Sequence, residues 1–162
     1  MSIKVAVQRA ADVAATDVPL AREFRAWARA AVTPHCRDAE LALRVVGEGE
    51  GAHLNHTYRG KRGPTNVLSF AAQLGPNAPV PLLGDVVICA PVVTREAREQ
   101  QKSAQAHWAH MTVHGCLHLL GYDHQTTRTA NAMEALEIEI LKQLGFANPY
   151  AELKKRNVKK KT

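Results

Sequence analysis

His110-Met-Thr-Val-His114-Gly-Cys-Leu-His118-Leu-Leu-Gly-Tyr-Asp-His124 is the stretch on which the reading of this chain turns. His114 and His118 stand one helical turn apart, Gly121 ends the turn, and His124 follows six residues after His118. A helix rises about 1.5 Å per residue, so His114 and His118 lie about 6 Å apart along the axis, on one face. Gly121 suits the left-handed residue that stops a helix and reverses the backbone. Tyr122 and Asp123 can then bring His124 back toward that face. Zinc takes nitrogen at about 2.0–2.1 Å, so its ligands must crowd together, and this spacing supplies three. His110 lies about 12 Å from His118 along the axis and cannot share an ion with both His118 and His124. His110 and the more distant His107 read as helix-face residues that could stand behind the ligands. Cys116 lies within the stretch, but on a helix it points away from His114 and His118. It reads as a buried hydrophobe, with ligation as the alternative.

Two histidines four residues apart are often incidental; a third beyond a glycine turn makes a metal site the better reading. Structural zinc sites usually close their tetrahedron with cysteines, whereas three histidines leave a fourth position for water, an arrangement that favours hydrolysis. Imidazole does not select zinc over manganese, nickel or iron. In the peptidase pattern H-E-x-x-H a glutamate beside the first histidine serves as general base. Here that position is Gly115, which argues against proteolysis. A mid-helix glycine costs on the order of 1 kcal/mol relative to alanine, so something else must favour it. Room for a substrate or close backbone, and tight helix packing, are both open.

Outward from this stretch, the histidines fall on a helix of about Ala104 to Leu120. Pro91 begins a helix reaching about Lys102, and another runs from about Thr126 to Leu144, with Met133, Leu136, Ile140, Leu141 and Leu144 apolar and Gly145 marking its end. Upstream, Ile3, Val5 and Val7 alternate as a strand, as do Leu41, Leu43 and Val45. Pro19 opens an amphipathic helix through Leu20, Phe24, Trp27 and Ala31 that ends near Pro34. A shorter helix is predicted from about Glu50 to Tyr58, a turn from Arg59 to Pro64, and strands at Thr65 to Phe70 and Gly84 to Cys89. Gln73 to Pro81 reads as loop, with three prolines and a glycine. The pattern predicts an α/β, or α+β, single domain over residues 1–153. It has about four strands in a mixed sheet and about five helices, with the metal site at the end of a helix in the C-terminal half.

The 162 residues are 46% hydrophobic, enough for one core. No apolar run approaches the roughly 20 residues that span a bilayer. Met1-Ser-Ile-Lys-Val lacks a signal core, so a cytoplasmic location is expected. Cys36, Cys89 and Cys116 show no paired spacing and read as small buried hydrophobes of a reducing compartment. The formal net charge of +6 equals the six positive residues Lys154, Lys155, Arg156, Lys159, Lys160 and Lys161, so the body is near neutral. Residues 154–162 form a basic tail expected to be disordered. It suits a polyanion such as nucleic acid, or simply aids solubility.

His114-Gly-Cys-Leu-His118-Leu-Leu-Gly-Tyr-Asp-His124 resembles the H-G-x-L-H-L-x-G-Y-D-H signature of the YbeY family, bacterial metal-dependent endoribonucleases. Leu54-Asn-His-Thr-Tyr58-Arg59-Gly-Lys61 with Pro64-Thr-Asn-Val-Leu-Ser-Phe70 is similar to a second family motif, and Leu83-Gly-Asp85-Val-Val-Ile to a third. The resemblance covers about Ile3 to Tyr150. It implies zinc held by His114, His118 and His124, with Arg59 needed for RNA processing and His114 catalytic through the metal. It implies cleavage in single-stranded regions of small-subunit ribosomal RNA precursor, at the 3′ end, and a part in ribosome quality control. A small-subunit ribosomal protein and an assembly GTPase are the implied partners. A guanidinium at Arg59 makes physical sense, because it is always charged and can grip two phosphate oxygens; a surface ion pair is its plainer role. Asp85 and Asp123 are candidates for orienting a ligand histidine through its second ring nitrogen, with a turn role equally open for Asp123. Aromatics are 5% of residues and no K/R-G-F-G-F pattern occurs, so no RNA-stacking platform is expected. The competing classes are an assembly factor using zinc only for folding, and a metallopeptidase.

Overall fold

The computed structural model describes residues 2–73 and 81–151. In chain order the elements are β1 (Ser2–Arg9), α1 (Ala21–Val32), β2 (Asp38–Val46), α2 (Glu48–Arg59), β3 (Val67–Ala71), β4 (Leu82–Cys89), α3 (Ala90–Glu99), α4 (Ala104–Leu119) and α5 (Thr127–Gln143). A short 3-10 turn at Ala15–Asp17, absent from the sequence reading, precedes α1. The sheet order is β1-β2-β4-β3; β1, β2 and β4 are parallel, and β3 joins β4 antiparallel at the edge. This is the mixed four-stranded, five-helix α+β domain that the periodicities predict.

Strand alternation sorts side chains onto two faces. Ile3, Val5, Leu41, Leu43, Val45, Val86 and Ile88 face the main core with Phe24 and Trp27 of α1, Trp108, Val113 and Leu117 of α4, and Met133, Ile140 and Leu141 of α5. On the other face Val46, Leu68, Val87 and Cys89 meet Leu54 of α2 and Val92 of α3 in a smaller cluster. Helix α4 buries eleven of its sixteen residues, which explains why it is apolar nearly all round. It touches β3, β4, α1, α3 and α5, so its histidines stand on the most constrained element of the fold.

Several boundaries differ from the sequence pattern by a few residues, and three of them have local reasons. Helix α1 begins at Ala21 and not at Pro19, because the Glu23 carboxylate accepts the Leu20 N–H (2.9 Å) and caps the helix there. Helix α2 runs through Arg59, which is therefore its last helical residue and not part of a turn; Gly60, at φ 65°, ends it. Helix α3 stops at Glu99, short of Lys102. Gln101 takes a left-handed φ of 55° and Lys102 N–H bonds back to the Ala97 carbonyl (2.9 Å), a terminator that no glycine announces. Residues 74–80, most of the expected Gln73 to Pro81 loop, and the 154–162 tail lie outside the described residues.

Candidate metal centre

The site begins with how α4 ends. Gly121, at φ 101°, donates to the His118 carbonyl (3.0 Å), and Tyr122 N–H donates to the Leu117 carbonyl (3.1 Å), closing off the last turn. The chain reverses; the Asp123 carboxylate accepts the Gln125 N–H (3.2 Å) and Thr126 caps α5 by accepting the Thr129 N–H (3.1 Å). This turn carries His124 back over α4. One ligand atom from each of His114, His118 and His124 lies within 4.8 Å of the others, so the three could hold a metal ion. His114 Nε2 and His118 Nε2 face each other at 3.1 Å. Two nitrogens at tetrahedral zinc stand about 3.3 Å apart, so the donor set fits such an ion. Burial, and then the neighbouring His114 and His124 rings, push His118 down to about 4, so it presents a neutral nitrogen.

A carboxylate that the sequence reading missed stands behind these rings. Glu137 of α5 is 1% exposed, and its Oε1 accepts from His114 Nδ1 (3.0 Å). Its Oε2 accepts from the Tyr150 hydroxyl (2.7 Å) and from His110 Nε2. Burial alone would raise this carboxyl, but the hydrogen bonds from His110 and His114 prevail and hold it at about 2. An ionised acceptor at Nδ1 fixes the His114 proton on that nitrogen and leaves the Nε2 lone pair aimed into the cluster. His110, buried, is pushed below its ordinary value despite the carboxylate. The available signal was a charge at an apolar position: Glu137 falls in register with Met133, Ile140 and Leu141 on the buried face of α5.

The two aspartates sit elsewhere. Asp85 is exposed on β4, and its side chain shares the sheet face of Val87 and the paired Phe70, opposite the face that packs on α4. The hydrogen bond to a ligand ring expected of Asp85 is made by Glu137 instead. Asp123 serves the turn, its carboxyl lowered first by the Gln125 N–H and then by Thr129. Cys116 is fully buried outside the cluster, its thiol pushed up to about 12 by burial. Gly115 is explained by packing. A Cβ there would lie 2.6 Å from Val86 Cγ1 and 3.1 Å from Val67 Cγ2, and Ser69 Oγ donates to the Gly115 carbonyl at 2.8 Å. The sheet thus occupies the place a peptidase glutamate would need.

The three histidines open onto a cleft of about 690 Å³ that follows the free edge of β3. Its lining also includes Tyr58 and exposed Arg59 from the end of α2 and Phe70 of β3. The fold therefore brings Arg59 and the histidine cluster to one cavity, although they lie more than fifty residues apart in sequence.

Comparison with known proteins agrees with this geometry. The family model described as Endoribonuclease YbeY matches residues 8–145. The protein of that name from Xanthomonas campestris pv. campestris (strain B100) is 57% identical over 140 residues, 84% of this chain and 87% of its own length. Its counterpart from Pseudomonas entomophila (strain L48) is 52% identical over 151 residues, 93% of this chain and 94% of its own. A Thermotoga maritima protein with a solution structure shares the fold, with a TM-score of 0.56 at 20% identity, covering 90% of this chain and 97% of that one. With its histidine cluster, its cleft and relatives this similar over most of their length, the chain belongs to the YbeY endoribonuclease family.

Proposed function

We propose that this protein is a zinc-dependent endoribonuclease of the cytoplasm. It cuts single-stranded regions of small-subunit ribosomal RNA precursor, matures the 3′ end and contributes to ribosome quality control. The observation that carries the reading is the meeting of three imidazoles and Arg59 in one open cleft. His114, His118 and His124 are the residues to hold the metal, which when bound supplies Lewis acidity and a lowered water pKa. Glu137 keeps His114 in the donor tautomer. Arg59 grips the scissile phosphate and offsets the negative charge that grows on it during hydrolysis. Glu137 is buried behind His114 and has no access to substrate, so it positions a ligand and does not take the reacting proton. A small-subunit ribosomal protein and an assembly GTPase are the proposed partners that bring the precursor to the cleft.

The test is cleavage of single-stranded RNA by zinc-loaded, metal-stripped and Arg59→Ala protein, with nuclease-free controls. Zinc-loaded wild type should cut, and the other two should not. Equal cutting by Arg59→Ala refutes its role. An intact RNA with every preparation, the small-subunit partner included, refutes catalysis and leaves an assembly factor that uses zinc for folding. End-group analysis names the nucleophile: a 2′,3′-cyclic phosphate means the RNA hydroxyl attacks, and a 5′-phosphate with a 3′-hydroxyl means water does.

A further inference from the structure

We infer that Tyr58 and Phe70 form a nucleobase-stacking subsite in the histidine cleft, taking the base of a nucleotide beside the phosphate held by Arg59. The inference rests on the RNA reading above and adds to it. Among the described residues Tyr58, Leu20 and Leu82 are the exposed large hydrophobics, and of these Tyr58 alone lines the cleft. Tyr58 is 65% exposed.

The ring is nonetheless held in place. Phe70 meets it edge to face, with centroids 4.9 Å apart and planes at 64°, and Phe70 is itself rooted against the Leu68, Val87 and Cys89 cluster. An edge-to-face contact covers at most one face of the Tyr58 ring, in keeping with the high exposure of the residue. Tyrosine has few rotatable bonds and is braced here, so ordering it against a ligand costs little entropy.

Tyr58 and Arg59 are consecutive on α2, about 100° apart around the helix axis, and both reach the same cavity. A nucleotide presents the same two demands side by side: an anion for a guanidinium and a π-face for an aromatic ring. Single-stranded RNA offers unstacked bases that such a ring can receive. The low aromatic content excludes a platform for several bases and not a subsite for one. The same cleft is lined by the three histidines, by Tyr58 and Arg59 from the end of α2 and by the residues of β3, so one cavity offers all three groups to a single strand.

The experiment measures kcat/KM of the zinc-loaded full chain on a single-stranded oligoribonucleotide and on copies in which each base in turn is removed. Proteins are wild type, Tyr58→Ala, Tyr58→Leu and Tyr58→Phe, with melting temperatures to verify folding. In wild type, removing one base next to the cut bond should lower kcat/KM by about 5- to 150-fold, the equivalent of roughly 1–3 kcal/mol per stacked base. Tyr58→Ala and Tyr58→Leu should lose a similar factor on intact RNA and show no further loss when that base is absent. Tyr58→Phe should keep the wild-type pattern. If Tyr58→Ala retains the full penalty for the missing base, or Tyr58→Leu matches wild type, the subsite is overturned while the nuclease reading stands. If wild type cuts no RNA under any condition, both fall together.

Discussion

Gly115→Ala measures how closely α4 is pressed onto the sheet. The added methyl would sit 2.6 Å from Val86 Cγ1 and 3.1 Å from Val67 Cγ2. Carbon atoms pack best at about 3.5–4.0 Å, so the first contact is short by about 1 Å. Val86 is fully buried and β-branched, with little rotamer freedom to yield. The alternative, lifting α4, would stretch the 2.8 Å bond from Ser69 Oγ to the Gly115 carbonyl and displace the adjoining His114. Overpacking a tight core costs about 1–3 kcal/mol, and this site belongs in the upper half of that range. Alanine regains about 1 kcal/mol of helix propensity, so the net loss is about 1–2 kcal/mol. For a domain of this size that lowers Tm by roughly 2–8 °C. Urea denaturation of metal-free wild type, Gly115→Ala, Val86→Ala and the double variant gives the comparison. In the Val86→Ala background the alanine should be neutral or stabilising, a coupling of about 0.5–3 kcal/mol. If Gly115→Ala alone is as stable as wild type, glycine is not there for the packing distance, and the substrate-room explanation returns.

Three further outcomes follow from the same geometry. Glu137→Gln faces three donors with one acceptor, so zinc affinity in a chelator competition should weaken about 10- to 100-fold; unchanged affinity would show that the carboxylate does not set the His114 tautomer. His124 is exposed, so His124→Ala should leave metal-free stability within about 0.5 kcal/mol, while the gain of about 2.7 kcal/mol expected from zinc at one hundred times its Kd in wild type disappears; a retained thermal shift would place the metal elsewhere. Burial favours a raised Glu96, but hydrogen bonds from His107 and Asn66 hold it below its usual 4.5. Its folded value being depressed, the stability it contributes is present above about 4.5 and is lost as pH falls through the lower folded value. Acid titration of stability should therefore be shallower in Glu96→Gln than in wild type across that window, and parallel curves would refute the assignment.

The edge position of β3 governs what the cleft can be. An interior strand would have walled the histidines off from α2. Because β3 ends the sheet, side chains from both faces wrap its free edge, and the end of α2 reaches the end of α4 across it. Phe70 points to the face away from α4 yet still lines the histidine cavity, for the same reason. The tight seating of Gly115 on Val86 completes this arrangement by drawing the histidine helix down to the strand.

Local chemistry made much of this legible in one dimension. The histidine spacing, the glycine at position 121 and the alternating apolar residues of β1 and β2 depend on contacts a few residues long, and such patterns survive in the sequence. The left-handed Gln101 that ends α3 did not, since glutamine gives no warning of that conformation. Glu137 was hidden for another reason: a buried carboxylate is stable only beside donors from elsewhere, here His110 and His114 on α4 and Tyr150 beyond α5. Sequence favoured Asp85 and passed over Glu137; the sheet turns Asp85 to the far face, and α5 brings Glu137 to His114 instead. Likewise, spacing alone left two reasons for Gly115, and the 2.6 Å approach of Val86 selects packing. Short-range periodicity named the candidate ligands; which residues stand behind them and share their cleft was set by long-range packing, because those partners are neighbours in space and strangers in sequence.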